Sequence, residues 1–100
     1  MIRIIVPSLR GALRVQLERI VREAELRGDH REAARARCEL AWLLMLERDR
    51  ARRSFERYAM RATDGMEVMR RMRMHLLSSR LFDMAVAGAR AAALRAGATT

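Results

Sequence analysis

The sequence predicts an all-α protein: a single small domain, residues 1–100, of four to five antiparallel helices, packed as a bundle or a short repeat-like helix stack. Three observations carry this. Ala, Leu, Arg, Glu and Met, the strong helix formers, dominate the composition. With one Pro and five Gly in 100 residues there is too little turn chemistry for a β-sandwich or barrel. Apolar residues make up 51% of the chain and aromatics only 4%, so the core must be built from aliphatic side chains, Ala and Met. They also recur at steps of three and four, the period of a helix face.

Residues 1–8 read as an extended lead-in, with the β-branched run Ile2 to Val6 ended by Pro7. Ser8 is placed to cap the first helix. Leu9, Leu13, Leu17, Ile20 and Ala24 then form one stripe, and Glu18/Arg22 and Glu23/Arg27 are acid-first pairs four apart. Gly28 ends this helix. Asp29 caps the next, with Glu32 three residues on. That helix grows steadily more apolar, and Cys38 to Leu46 should be covered on more than one side, as the central helix of the domain. Glu47 to Arg53 reads as a polar break or continuation. Beyond it, Ala51, Phe55, Tyr58 and Ala62 face inward. Asp64, with Glu67 after it, caps a helix starting at Gly65. Ser78-Ser79 breaks that helix and caps a last one, in which Leu81, Ala85, Val86, Ala89, Ala92 and Ala93 are apolar. Residues 97–100 should fray.

The stretch GDHREAARA, Gly28 to Ala36, resembles the turn and second-helix start of a tetratricopeptide repeat, with Gly28 and Ala33 at the spacing that lets two helices approach closely. Leu17, Ile20, Val21 and Ala24 match the inward face of the first helix of such a repeat. Met69, Met72 and Leu76 leading into Ala85, Ala89 and Ala92 echo the pattern, so the resemblance covers about residues 12–46 and 65–95. It implies a stack of helical hairpins that binds other proteins. Arg37 departs from the family, which has a large apolar residue there, and the usual Pro at the repeat end is missing. The order strand, Pro, helix, Gly turn, helix also resembles the ribbon-helix-helix DNA-binding dimers. It implies an intermolecular strand at Ile2 to Val6 with Arg3 facing the groove.

Charge narrows the choice of partners. The chain has 21 basic residues, all Arg, against 12 acids, for a net charge of +9. Codon bias in a GC-rich genome accounts for Arg in place of Lys, but not for the excess over acids. Residues 48–80 alone hold ten Arg and four acids. Nucleic acid, an anionic surface or an acidic protein are the partners such a chain attracts.

Nothing suggests catalysis. Cys38 is alone in an apolar helix, where a buried thiol is inert. His30 and His75 stand apart, and no metal-binding, phosphate-loop or nucleophile motif occurs. No catalytic, cofactor or metal residue is therefore expected. A cytoplasmic location suits a chain with one Cys and no apolar run long enough to span a bilayer.

The leading expectation is a non-catalytic protein-interaction module, a small adaptor or chaperone. It would bind an acidic or amphipathic partner helix on the apolar face Met66, Met69, Met72 and Leu76, with Arg70, Arg71 and Arg73 as a basic rim. The alternative is a nucleic-acid binder that grips the phosphate backbone through the stripe Arg50, Arg53, Arg57 and Arg61. A second alternative is a self-associating bundle with the Leu stripe of the first helix as its seam. The four aromatics all fall on inward stripes, so no platform for base stacking is expected.

Overall fold

The computed structural model describes residues 7–61 and 64–98, and they form three helices. These are α1 (Pro7–Arg27), α2 (His30–Arg61) and α3 (Gly65–Ala98). The helical class stands, and the count falls from four or five to three. The expected strand at Ile2 to Val6 lies outside the described residues. Residues 7 and 8 belong to α1, so Ser8 lies within the helix and not ahead of it.

Glu47 to Arg53, read as a break or a continuation, continues, and the expected break at Ser78-Ser79 does not form. Glu47 to Arg53 runs on as helix because Glu, Arg and Ala, good helix formers, make up all of it but Asp49, and the side facing α3 keeps its contacts. Arg48, for instance, lies over the Phe82 ring at 4.4 Å. Ser78-Ser79 also stays helical, since Ser79 Oγ donates to the His75 carbonyl at 3.0 Å, which spends the hydroxyl inside the helix. Residues 97 and 98 still belong to α3.

The turn at Gly28 and the cap at Asp64 are built as the sequence suggests. Gly28 has φ of +72°, the left-handed region where a Cβ is costly. Its N–H donates to the Glu25 carbonyl (3.1 Å) and that of Asp29 to the Ala24 carbonyl (2.9 Å), the paired bonds of a Schellman cap. Asp29 at once caps α2, its Oδ1 accepting the Glu32 N–H at 3.1 Å. Glu32 completes no capping box in return, because Arg35 holds its carboxylate. At the second turn Asp64 Oδ1 accepts the Met66 N–H at 3.0 Å.

α2 is the central helix: among the described residues α1 and α3 each pack on it and not on one another. The body is a rod of 56 × 23 × 23 Å. Its buried side chains all lie at one end. They are Leu17, Val21 and Ala24 of α1, Ala33, Ala36, Ala41, Leu43 and Leu44 of α2, and Ala89 and Ala92 of α3. The predicted α1 stripe is therefore rotated toward Val21, and Leu9 is exposed. Alanines at the contacts let the backbones approach closely, and among the described residues Leu43 is the one large side chain that is fully enclosed.

At the other end α2 and α3 continue as a two-helix hairpin. From 45 to 61 and from 64 to 88 no described residue is buried; Phe55, Tyr58, Met72, His75 and Phe82 are half-covered. A two-helix layer cannot enclose a side chain on every side, and the described residues of α1 meet this region at Glu47 through Arg10, so the apolar side chains farther along are half-covered.

Ion pairs follow different partners from those expected. Glu18 turns back to Arg14 (3.0 Å), and neither predicted acid-first pair of α1 forms. Two pairs cross between helices, Arg10 to Glu47 at 3.1 Å and Arg37 to Glu25. Arg37 fills the place where a tetratricopeptide repeat has an apolar residue. Its guanidinium lies between α1 and α3, and a methyl group at Gly88 would come within 3.0 Å of Arg37 Nη1. Gly88 on α3 thus leaves room for a charge that reaches across to α1. α2 and α3, 32 and 34 residues long, also make continuous rods and not stacked hairpins.

Candidate basic groove and outer face

The hairpin presents two distinct surfaces. The outer face of α3, turned away from α2, carries Met66, Met69, Leu76, Leu77 and Met84, exposed by 81%, 49%, 58%, 52% and 63%. Arg73 and Arg80 lie in line with them, and Asp83 is the one exposed acid along this stretch of α3 beyond the Asp64 cap. Met72 is half-buried at its edge. α3 is consequently apolar on two sides, one covered by α2 and one by no described residue. Of the residues expected to make the partner face, the structure brings Met66, Met69 and Leu76 together and adds Leu77 and Met84.

The expected basic rim divides. Arg73 lies within the outer stripe, and Arg70 at its border, where Glu67 holds it at 2.9 Å through Nε. Arg71 points the other way, into the hairpin. Its Nε donates to Glu67 Oε1 at 3.1 Å and its Nη1 to Ser54 Oγ at 2.5 Å, while its guanidinium covers the Tyr58 ring at 4.4 Å. Residues from two helices thus fix its position, and Nη2 keeps no partner among the described residues. The hydrogen bonds to Arg70, then the charges of Arg70 and Arg71, hold the Glu67 carboxyl below the ordinary glutamate value. Arg70 is raised by the same bond.

Beside Arg71 run two shallow depressions between α2 and α3. One, of about 270 Å³, is lined by Glu47, Arg50, Ala51, Ser54, Arg70, Arg71, Met74 and Ser78. The other, of about 250 Å³, is lined by Ser54, Arg57, Tyr58, Arg61 and Arg71. Sharing Ser54 and Arg71, they form one groove with five guanidinium groups and a single lining acid, Glu47, which Arg10 engages. Arg50, Arg57 and Arg61 are exposed and make no ion pair among the described residues. Arg53 of the same predicted stripe lines neither depression. Sequence reasoning found both Arg sets but not their convergence, because the signal is a contact between positions 17 apart, Ser54 and Arg71.

Cys38 is exposed, contrary to the buried thiol expected from its apolar neighbours. It lies on the side of α2 that neither α1 nor α3 covers. Trp42, Phe55, Tyr58 and Phe82 are half-buried, and Phe55 stacks on His75 with ring centroids 6.3 Å apart. His75 Nδ1 is buried with no protein partner among the described residues. No three His, Cys, Asp or Glu residues gather where a metal could sit, again among the described residues. No described helix is long and apolar enough to cross a membrane. Comparison with known protein families, curated proteins and solved structures finds no match.

Proposed function

We propose that the protein is a non-catalytic helical binding module whose outer α3 face takes an acidic amphipathic helix from a protein partner. The observation that carries this is the second apolar side of α3, which α2 does not cover. Moving a half-exposed Met or Leu fully out of water is worth about 1 kcal/mol, and five such side chains lie on one line. Arg73 and Arg80 within the stripe require acids from whatever covers it. A second copy of the chain brings more Arg to the same place and would face like charges, so charge complementarity favours an acidic helix over self-association.

The test uses a fluorescent synthetic helix with Leu at core heptad positions and Glu beside them, followed by anisotropy. Binding by the parent and loss in L76D/L77D, with unchanged circular dichroism, supports the reading. Both side chains are more than half exposed, so the fold should tolerate the change. Equal binding by the variant removes it. Light scattering checks the self-associating alternative in the same samples.

A further inference from the structure

We propose that the groove between the far halves of α2 and α3 is a binding site for a linear chain of phosphates, of the kind found in inorganic polyphosphate. It lies on a different side of the hairpin from the outer α3 stripe and does not depend on the reading of that stripe.

Four features of the groove point to this ligand. The first is charge: Arg50, Arg57, Arg61, Arg70 and Arg71 line it, and its one acid, Glu47, already accepts a bond from Arg10. Glu67 pairs with Arg70 and Arg71 from the edge of the groove, Arg50, Arg57 and Arg61 make no ion pair among the described residues, and guanidinium groups suit phosphate oxygens. The second is shape. The two depressions join end to end at Ser54 and Arg71, and Arg50 to Arg61 covers about 16 Å of helix axis. A narrow unbranched anion fits such a trough, whereas the phosphates of a duplex are spread over a convex cylinder.

The third feature is pre-organisation. Glu67, Ser54 and the Tyr58 ring hold the Arg71 guanidinium at the junction, with Nη2 left for a ligand. Little side-chain entropy is then lost on binding. The fourth concerns bases. Tyr58 is the one aromatic lining the groove, and Arg71 already lies over one face of its ring, so the groove offers little for base stacking. Phosphates without bases are the chemistry that remains.

The assay is titration calorimetry of the whole chain with inorganic polyphosphate, repeated across salt concentration. Five contacts predict a log–log salt slope on the order of −3.5, on the coefficient for flexible single strands. R57A/R61A should weaken binding by more than roughly tenfold and flatten the slope by about 1.4. R50A, which empties one side of the other depression, should weaken it as well. R53A should leave both affinity and slope unchanged. None of Arg50, Arg53, Arg57 and Arg61 makes an ion pair among the described residues, so each variant should melt with the parent.

Absence of binding by the parent overturns the proposal. So does an R53A loss equal to that of R57A/R61A, which would mean that the exposed side of α2 binds and the groove does not. Random duplex DNA is titrated in parallel. Tighter binding of DNA than of polyphosphate, with Arg53 contributing, would establish nucleic-acid backbone binding in its place.

Discussion

Gly11 and Gly28 invite the same substitution with opposite results. A Cβ built at either glycine meets no atom within 4 Å, so sterics against the rest of the protein contribute nothing at either site. What differs is the backbone. Gly11 sits inside α1, where Gly is about 0.5–1 kcal/mol worse than Ala. G11A should therefore stabilise by about that amount. Gly28 has φ of +72° and closes α1 through two backbone hydrogen bonds. A side chain there costs about 1–2 kcal/mol in the left-handed region, against which about 0.4–1 is recovered from the unfolded chain. G28A should lose on the order of 1 kcal/mol net.

For a chain of 100 residues these changes correspond to melting shifts of roughly 4–8 °C per kcal/mol, upward for G11A and downward for G28A. Seventeen residues of helix separate the sites by about 25 Å, so the double variant should melt close to the parent. Thermal denaturation followed at 222 nm reads all three proteins. A G28A variant as stable as the parent would refute the left-handed turn, and with it the placement of α1 against α2.

Leu43→Ala should cost about 3 kcal/mol, read as a lowered urea midpoint, because Leu43 is a large side chain that is fully enclosed; a loss under about 1 kcal/mol would mean that α1 does not cover it. His75→Phe should raise the melting temperature, since it removes a buried Nδ1 without a partner and keeps a ring against Phe55. Glu32 and Glu67 are held below the ordinary glutamate value by Arg35 and Arg70, so they add stability above that value and lose it as pH falls through their lowered values. Acid titration of E67Q beside the parent should show a shallower decline; identical curves would mean that the pair contributes nothing.

The helical class, the Gly28 turn and the caps at Asp29 and Asp64 could be read from the sequence, because each rests on chemistry within five residues. Gly28 and Asp29 are an example: one supplies a positive φ and the other an oxygen, whatever the rest of the chain does. The long helices were harder to read. ERDRARR reads as a break or a continuation when counted for polarity, yet its Arg48 and Ala51 face α3, its Glu47 meets Arg10 of α1, and its other Arg residues are exposed. Ser78-Ser79 looks like a cap, but Ser79 bonds backward to His75. Cys38 was misjudged for a related reason, since an apolar run says nothing about which of its sides a neighbour covers. The groove was least legible. Arg50, Arg57 and Arg61 belong to one helix and Arg70 and Arg71 to another, and only their packing makes them neighbours.

The gathering of every buried side chain at one end of the rod also sets the order in which the protein comes apart. Cooperative opening costs most where apolar contacts are densest and least where the backbone is braced by a single neighbour. The amides from 50 to 61 and from 65 to 78 should therefore exchange with deuterium through openings far cheaper than global unfolding, while those around Ala24, Ala36 and Leu43 wait for the whole chain to unfold. A ligand in the groove or on the outer face would be seen first as slower exchange in that weakly held half, so occupancy and local stability are linked there.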